Sequence, residues 1–473
     1  MSVLIAQASA PAHPHSTGTT AVTAIDLLNG YAHVFTIAFV VTLIATPLAM
    51  RAAQAIGVVD RPDFNRKAHT HPIPYLGGMA VFAGVLAAIA VSYLPSGDAP
   101  IAFAPVPMAV VIGMIAITFT GLADDIWGWD PRLKIAGQLV AAAGLAIENV
   151  GVNVAHGVLT AIFPGSSLSF TFATPMGDAT VDIVYWVGTA LIALFVLGGC
   201  NAANLIDGLD GLLSGVSAIT AIGLLLISIF MLHVIPDDAM ESETGVLAGA
   251  RLVLCLAILG ATLGFLPYNW KPAVIFLGDC GSLLLGYLIV VVILMLGEHG
   301  QTHLVFAGLI VFAIPIIDTT LAIIRRKLAG VSMSAADNQH LHHQFRRVLG
   351  GVRRAVMAMY ALSILFMVVG VSLAGLVIFT ELRVRAVYAV ALVLGGMLGV
   401  VAVKAARRQQ RLAASTASAS STATAKTTDR AVSDDDAHAK SADEDAAHSA
   451  SPAPAMSASA SSPRNGAPIG RHA

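Results

Sequence analysis

Residues 184–232 show the architecture of this chain most clearly. The run VYWVGTALIALFVLGG (184–199) and the run LSGVSAITAIGLLLISIFML (213–232) flank the polar segment NAANLIDGLDGL (201–212). Each run is close to the roughly 20 apolar residues that a membrane-spanning helix needs. Two amides, two carboxylates and two glycines between such runs are costly, so they indicate a functional segment.

The whole chain has the composition of a membrane protein. It has 473 residues, of which 56% are hydrophobic and 11% charged, and its mean hydropathy is +0.79. A soluble protein of this length could not bury so much apolar surface. Because lipid cannot hydrogen-bond an exposed backbone, the spans are predicted to be helices. Eleven are predicted, at residues 31–50, 76–94, 106–122, 135–150, 183–200, 212–234, 249–267, 282–297, 304–324, 355–378 and 386–403.

The distribution of charge predicts how these spans are oriented. Most of the 26 Lys and Arg residues fall in alternate connections. The positive-inside rule places those connections and the C-terminus in the cytoplasm, and the N-terminus outside. All the segments with motif-like polar residues lie on this cytoplasmic side. They are residues 60–78, 121–134, 201–212, 268–282 and 325–354.

Three regions are predicted along the chain. Residues 1–30 form an extracytoplasmic segment without a convincing signal peptide. Residues 31–403 form an all-α polytopic transmembrane domain, and residues 404–473 form a basic, then Ala/Ser-rich, disordered cytoplasmic tail. In the outside loop 151–182, the alternation in LSFTF predicts a small hairpin.

Three carboxylates stand at the ends of predicted spans. Asp124 and Asp125 close the third span, where holding both ionised favours a nearby cation, divalent or basic; the alternative is a solvated helix end. Asp279 lies in FLGDCGS (276–282), where a carboxylate beside glycines at a helix start can hold Mg²⁺ that also binds phosphate. The alternative is that Asp279 or Ser282 caps this helix.

The polar positions of NAANLIDGLDGL recur every three residues, at Asn201, Asn204, Asp207 and Asp210. On a helix the first three share a broad face, whereas the fourth has turned to the opposite side. Gly208 and Gly211 therefore predict a break that re-aims Asp210 or lets a ligand approach the backbone. The alternative is a polar loop in which Asp210 caps the next span.

Two basic segments complete the predicted cytoplasmic face. HLHHQFRR places His340 and His343 about one helical turn apart, with His342 beside them and arginines one turn on. The segment predicts a short amphipathic helix, and the absence of a nearby Cys or acid favours a polyanion over zinc. Binding of lipid head groups is the alternative. Lys67, in RKAHTHPIPYLGG, is either a phosphate contact or a plain positive-inside lysine.

The positions of the carboxylates argue against a secondary transporter, whose ionisable residues lie near the midplane in broken helices. Nearly all carboxylates are placed at the cytoplasmic ends of spans; the exception is Asp318, seven residues before Arg325 on the same predicted helix face. Carboxylates, Mg²⁺ and basic groups beside lipid fit phosphoryl transfer between a soluble diphosphate and a lipid phosphate. A transporter or flippase and a non-catalytic scaffold for glycan assembly are the alternatives.

The order of these motifs resembles the polyprenyl-phosphate N-acetylhexosamine-1-phosphate transferases, glycosyltransferase family 4. RKAHTHPIPYLGG, the DD pair, NAANLIDGLDGL, FLGDCGS and DNQHLHHQF carry the resemblance over roughly residues 57–354. HLHH is more similar to the bacterial undecaprenyl-phosphate GlcNAc-1-phosphate transferases. The alternative branch, phospho-N-acetylmuramoyl-pentapeptide transferase, typically carries three consecutive histidines before an aromatic residue.

The resemblance implies the reaction and the residues that carry it. Undecaprenyl phosphate would attack the sugar-proximal phosphorus of a UDP-N-acetylhexosamine, with UDP-GlcNAc favoured, and UMP would leave. The implied cofactor is Mg²⁺, with Mn²⁺ as an alternative, bound at Asp279. The implied catalytic residues are Asp124, Asp125, Asp207 and Asp279. The implied substrate-binding residues are Lys67, Asn201, Asn204, Asp210, Arg325, His340, His342 and His343.

The resemblance also implies where and with what the protein acts. It implies a multi-pass protein of the bacterial inner (cytoplasmic) membrane that starts cell-surface glycan synthesis with its active site on the cytoplasmic face. Its partners would be the UDP-sugar, undecaprenyl phosphate and the bilayer, with no nucleic acid; a homodimer is compatible with the family.

A phosphate monoester is mostly dianionic at neutral pH, since its second pKa is about 6. Direct attack, with Asp125 orienting or deprotonating the phosphate, is therefore favoured over an aspartyl-phosphate.

Overall fold

A computed structural model of the chain describes residues 24–60, 72–94, 106–164, 168–174, 177–232, 243–330, 340–380 and 383–397, with positions 399, 400, 403, 404 and 407. Within these ranges the chain is mostly helical, as predicted. The helices are α1 (Ala24–Ile56), α2 (Gly77–Ser92), α3 (Met108–Trp127), α4 (Pro131–Ile147), α5 (Val154–Ile162), α6 (Ile183–Ile206), α7 (Leu212–Leu232), α8 (Glu243–Asn269), α9 (Gly278–Met295), α10 (Thr302–Val311), α11 (Ala313–Ala329), α12 (Leu341–Leu349), α13 (Val352–Phe379) and α14 (Arg385–Met397).

Two antiparallel hairpins and a 3₁₀ turn complete the described elements. Strand β1 (Val59–Asp60) pairs with β2 (Ile73–Pro74), and β3 (Ser169–Thr174) pairs with β4 (Gly177–Asp182). The 3₁₀ turn is Glu298–Gly300. The second hairpin confirms the one predicted from LSFTF. The same loop also contains α5, which the sequence did not predict.

Many of the helices suit a membrane. In the described part of the chain, α1, α3, α6, α7, α8, α9 and α13 are long and apolar enough to cross it, and α10 with α11 makes an eighth candidate. Helices α2 and α14 are apolar but shorter. Each of the eleven predicted spans overlaps one of these helices, or α4, or the α10–α11 pair. Seven or eight of them meet the length and composition of a span.

The ninth predicted span, residues 304–324, is formed by two helices. α10 and α11 are bent by 81° relative to each other. Pro315 is the third residue of α11, and without an N–H it cannot donate to the carbonyl of Val311 as a continuous helix requires. The proline was visible in the sequence and marks the break.

Three helices form the centre of the molecule. The most apolar stretches of α7, α8 and α9 are 78%, 83% and 89% buried, whereas those of α1 and α13 are each 22% buried. Helices α3 and α6 pack against α9, and α1 and α2 pack against α8. The outer helices expose large apolar side chains such as Ile44, Ile112 and Leu194, as expected where lipid is the solvent.

Candidate active site

A cavity of about 300 Å³ lies where the polar ends of α6, α8 and α9 meet α12. Carboxylates, amides and basic side chains from separate segments of the chain line it. The sequence-predicted residues in its lining are Asn204, Asp207, Asp210, Asp279 and His343. Helix packing therefore brings together residues that three different motifs contribute.

Two carboxylates and a lysine form the charged centre beside this cavity. Lys134, in the first turn of α4, places its Nζ 2.5 Å from Asp279 Oδ2 and 2.6 Å from Asp124 Oδ2. Asp279 lies at the start of α9 and Asp124 near the end of α3. The cation that the DD pair was expected to attract is thus a basic side chain in this structure.

Asn204 holds the other oxygen of the same carboxylate. Its Nδ2 donates to Asp279 Oδ1 at 2.7 Å and to Ser282 Oγ at 3.0 Å. The amide therefore ties the end of α6 to the start of α9. Because both oxygens of Asp279 have partners, its orientation is set by the protein.

Asp125 accepts two backbone hydrogen bonds at the start of α9. Its Oδ1 accepts the backbone N–H of Asp279 at 2.9 Å, and its Oδ2 accepts that of Cys280 at 3.0 Å. The first N–H groups of a helix have no partner within the helix, so Asp125 caps α9 from α3. Neither Asp279 nor Ser282 provides the cap. With both oxygens held by backbone donors, Asp125 has the contacts of a positioning group and not those of a free base.

NAANLIDGLDGL is part helix and part turn, as its glycines predict. Gly211 has φ +77°, a conformation that residues with a Cβ rarely adopt. Its N–H donates to Asn269 Oδ1 at 3.1 Å, which ties the turn to the end of α8. Gly208 lies against a side chain, because a Cβ there would be 2.4 Å from His342 Nε2. The group that approaches the Gly208 backbone is therefore a histidine.

Asp207 and Asp210 occupy two ends of this turn. Asp207 follows α6 and is partly exposed along the cavity, yet burial, and then the charge of Asp279, raises the pKa of its carboxyl to about 8. It is therefore mostly protonated at neutral pH. Asp210 Oδ2 lies 3.1 Å from Lys271 Nζ and accepts the N–H of Ala273 at 2.9 Å. Asp210 thus joins the turn to the segment after α8, and it does not cap α7.

The histidines lie at and within α12, which confirms the short amphipathic helix predicted there. His340 and His342 are buried beside Asp318. His343 lines the cavity, and burial, followed by the neighbouring histidines, lowers the pKa of its imidazole to about 4. His343 is thus neutral at pH 7, and the positive charge on this side of the cavity comes from Arg346.

Besides His340 and His342, two described residues that were predicted to bind substrate, Asn201 and Arg325, are not in the cavity lining. Asn201, about one turn before Asn204, donates from Nδ2 to Gln138 Oε1 at 2.9 Å and so ties α6 to α4. Arg325 is 5% exposed within α11. Lys67 lies in residues 61–71, outside the described part of the chain.

Sequence reasoning missed several residues that the structure brings to the site, above all Lys134. The sequence nonetheless contains a local pattern that places Lys134 near the DD pair. Asp130 caps α4 and Pro131 begins it, which is a recognisable helix start. A connection this short makes α3 and α4 antiparallel neighbours, so the first turn of α4 must lie beside the DD pair. Lys271 carries no comparable local signal, whereas Arg346 is one of the arginines of HLHHQFRR, a segment predicted to bind a polyanion.

The donor set around Asp279 fits a magnesium ion. Asp279 and Asp124 turn carboxylate oxygens toward one point, where the ammonium group of Lys134 lies. Mg²⁺ prefers oxygen ligands and is typically held by one or two carboxylates, water and substrate phosphates. Among the described residues, no three His, Cys, Asp or Glu side chains are grouped to hold a metal by themselves. The site therefore fits an ion that substrate phosphate helps to bind.

Comparison with known proteins gives consistent relatives. Residues 107–297 match the family model described as glycosyl transferase family 4. The chain is 33% identical over 352 residues to a probable undecaprenyl-phosphate N-acetylglucosaminyl 1-phosphate transferase of Bacillus subtilis, covering 74% of this chain and 86% of the relative. It is 32% identical over 378 residues to a decaprenyl-phosphate N-acetylglucosaminephosphotransferase of Mycobacterium leprae, covering 77% and 88%.

A third relative is more distant. The undecaprenyl-phosphate alpha-N-acetylglucosaminyl 1-phosphate transferase of Escherichia coli K12 is 29% identical over 344 residues, covering 70% of this chain and 81% of the relative. The family match spans α3, α4, α6 and α9, whose ends supply the DD pair, Lys134, Asn204 and Asp279. The chain therefore belongs to the polyprenyl-phosphate N-acetylhexosamine-1-phosphate transferases of glycosyl transferase family 4, and it is a multi-pass membrane phosphotransferase.

Proposed function

We propose that this enzyme transfers N-acetylglucosamine-1-phosphate from UDP-GlcNAc to undecaprenyl phosphate, releases UMP and so starts lipid-linked glycan synthesis. The relatives are named for this kind of transfer to a polyprenyl phosphate. The observation that carries the proposal is the convergence of Asp124 and Asp279 on one cation position, beside a cavity lined by Lys271 and Arg346. Such a site suits a magnesium diphosphate.

The proposed step is a direct displacement at phosphorus. An oxygen of the lipid phosphate forms a bond to the sugar-bearing phosphorus, and the bond from that phosphorus to the bridging oxygen breaks. UMP leaves with the electron pair. Because the lipid phosphate is mostly dianionic near pH 7, no strong base is needed. Catalysis then depends mainly on positioning and on stabilising the charge of the diphosphate.

The residues around Asp279 take the positioning role. Asp279 and Asp124 would hold Mg²⁺, which when bound would draw negative charge from the diphosphate oxygens. Asn204 orients Asp279 from one side. Lys134 balances both carboxylates from the other side. Asp125 fixes the start of α9 through two backbone hydrogen bonds, and so determines where Asp279 stands.

The basic residues of the cavity lining would bind the diphosphate. Arg346 and Lys271 line the cavity, and both donate hydrogen bonds to phosphate oxygens. Neutral His343 would donate a hydrogen bond without adding charge. Asp207 is mostly protonated, since its pKa is raised to about 8, so a nearby nucleotide phosphate meets a hydrogen-bond donor and less repulsion.

An apolar groove supports a polyprenyl acceptor. It has a volume of about 1210 Å³ and is lined by apolar side chains of α6, α10, α11, α13 and α14. Leu341 and Phe345 of α12 also line it, while His343 and Arg346 of the same helix line the polar cavity. A lipid whose chain lies in the groove would thus have its phosphate close to the charged site.

The proposal extends to eleven crossings of the bacterial inner membrane, with the N-terminus outside and the active site in the cytoplasm. The polar helix ends of the site coincide with the connections that carry most Lys and Arg, as the positive-inside rule requires. We also propose a homodimer, which is supported by the family resemblance alone.

The direct test measures UMP release by purified full-length protein in detergent, with undecaprenyl phosphate and a panel of UDP-sugars. We expect Mg²⁺-dependent release with UDP-GlcNAc, supported also by Mn²⁺, and loss of at least 100-fold of the rate in Asp279→Ala. Asp182→Asn, at the exposed N-cap of α6, is the control. Near-normal turnover by Asp279→Ala would contradict the metal assignment. Substrate flux in proteoliposomes without UMP would favour a transporter.

A further inference from the structure

Asp318 in α11 is a buried carboxylate that none of the steps above uses. Its side chain is 1% exposed. Oδ1 accepts the backbone N–H of Leu341 at 2.6 Å. Oδ2 lies 3.2 Å from His340 Nδ1 and 3.5 Å from His342 Nδ1. One carboxylate from α11 therefore faces three groups at the beginning of α12.

The contact with Leu341 anchors α12. His340 is the N-cap residue of this helix and its side chain makes no capping hydrogen bond. The first N–H groups of a helix need partners, and a negative charge there is favoured by the helix dipole. Asp318 supplies both from a neighbouring helix, so the start of α12 is held by the membrane-embedded part of the protein.

The contacts with the two rings constrain their protonation. An ionised carboxylate only accepts hydrogen bonds, so a ring nitrogen that faces it must carry a proton. The 3.2 Å contact makes His340 Nδ1 a donor. The 3.5 Å separation at His342 is longer than an ordinary hydrogen bond, but it selects the same protonated nitrogen. Nε2 of each ring is then left to face other partners.

A series of contacts connects these two rings with the cavity. His340 and His342 are stacked, with ring centroids 5.5 Å apart and planes at 9°. His342 Nε2 lies against Gly208 of the turn between α6 and α7, and its ring centroid is 4.3 Å from that of His343. His343 lines the cavity. Contacts thus run without a gap from Asp318 through His342 to the substrate cavity.

We infer that Asp318 is a positioning residue for the proposed transfer. Its carboxylate accepts a hydrogen bond from His340 Nδ1, lies beside His342 Nδ1 and anchors α12, so that His343 and Arg346 are kept at the cavity. The consequence for the rate rests on the proposed function, whereas the contact between Asp318 and the histidines does not.

Asp318→Asn separates this role from simple capping. Asn caps helices as well as Asp does, so Leu341 keeps an acceptor. With its oxygen used there, the Asn amide would point N–H groups at His340 Nδ1 and demand the opposite tautomer. The matched control is Asp130→Asn. Asp130 caps α4 by accepting the N–H of Arg132 at 2.8 Å.

Two measurements on full-length protein in detergent test the inference. In Asp318→Asn we expect kcat for UMP release to fall at least tenfold, because a small displacement of groups at a reaction site costs on the order of 10–100-fold in rate. The KM for UDP-GlcNAc should stay within about threefold and Tm within a few degrees of wild type, since α12 keeps its cap. Asp130→Asn should change neither rate nor Tm.

The second measurement is a long-range ¹H–¹⁵N spectrum of histidine-labelled protein, assigned with the His340→Gln and His342→Gln variants. It reports which ring nitrogen carries the proton. We expect Nδ1-protonated signals for His340 and His342 in wild type, and displaced signals in Asp318→Asn. The spectrum needs no substrate.

The inference requires both changes. Unchanged histidine signals in Asp318→Asn would overturn it, whatever the rate. Displaced signals with wild-type kcat would also overturn it, because the rings would then not matter for turnover. A drop in kcat matched by a large loss of Tm would reduce Asp318 to a structural residue. Wild-type protein that releases no UMP but shows Nδ1-protonated signals would overturn the proposed function and leave the Asp318 contact intact.

Discussion

Lys134 and Asp279 are 145 positions apart in the chain, yet Lys134 Nζ lies 2.5 Å from Asp279 Oδ2. The same ammonium lies 2.6 Å from Asp124 Oδ2. About a quarter of each side chain, 24% for Lys134 and 25% for Asp279, is exposed. Solvent and ligands can therefore reach a cation position that three helices build together.

Replacing Lys134 by Met should make the protein depend more strongly on magnesium. Without the ammonium, Asp124 and Asp279 face each other with no counter-charge. We expect Tm in EDTA to fall by about 2–4 °C, equivalent to roughly 1 kcal/mol for a partly exposed pair. Added Mg²⁺ should recover more Tm in this variant than in wild type. Arg132→Met, on the exposed first turn of the same helix, is the control; equal magnesium responses in both variants would contradict the prediction.

Asp207 should make stability depend on pH. Burial raises the pKa of this carboxyl to about 8, whereas in an unfolded chain it is about 4. Between these values the folded protein holds a proton that the unfolded chain has released. The free energy of unfolding is therefore highest at low pH. It falls as pH rises through this window, by up to about 1.4 kcal/mol per pH unit.

The variant that checks this is Asp207→Asn, which cannot ionise. Near pH 4 it should match wild type, and its stability advantage should grow from there, so that by pH 8 it is clearly the more stable protein. Tm measured in substrate-free detergent solution at pH 5, 6, 7 and 8 would show the difference growing. Asp130→Asn serves as the comparison. A Tm difference that stays constant over this range would show that Asp207 keeps an ordinary pKa.

Gly208→Ala should disturb His342. The added Cβ would lie 2.4 Å from His342 Nε2 and 3.0 Å from its Cε1. We expect a loss of about 1–3 kcal/mol, the usual cost of overpacking, and a lower rate of UMP release. Gly144→Ala, in α4, meets no atom within 4 Å and should be neutral or slightly stabilising. The stability loss should nearly vanish when Gly208→Ala is made in a His342→Ala background; an equal loss in both backgrounds would place the strain elsewhere.

Glu298→Gln should affect stability without affecting the site. Arg251 is 1% and Glu298 10% exposed, and Arg251 Nη1 lies 3.3 Å from Glu298 Oε2. Removing one charge of a buried pair leaves the other uncompensated, at a cost of about 3–5 kcal/mol. Arg251 is 18 residues, or about 27 Å of helix, from Asn269 at the site end of α8. Tm should fall while the KM for UDP-GlcNAc stays unchanged, and Glu148→Gln, at the exposed C-cap of α4, should leave both unchanged. A change in KM as large as that of a cavity variant would contradict this separation.

Much of the fold and of the site could be read from local sequence. Runs of about 20 apolar residues identify membrane helices because lipid requires each backbone to satisfy its own hydrogen bonds. The i+3 register of Asn201 to Asp210 and the two glycines predicted the break after α6. The DD pair was predicted to favour a nearby cation because adjacent ionised carboxylates repel, and Asp279 was separately predicted to hold Mg²⁺ at a helix start. All these signals lie within a few residues of one another.

Helix packing settled what each of these residues contacts. Asp125 caps a helix 154 positions away, Asp318 holds a histidine 22 positions away, and Lys134 reaches Asp279 over 145 positions. Asn201 and Asn204 share a motif, yet they turn to different neighbours, α4 and α9. A hydrogen bond requires its atoms to be within about 3 Å, and no periodicity along one helix specifies which other helix will stand at that distance. The types of residue at the site are therefore a property of the sequence, whereas their partners are a property of how the helices pack.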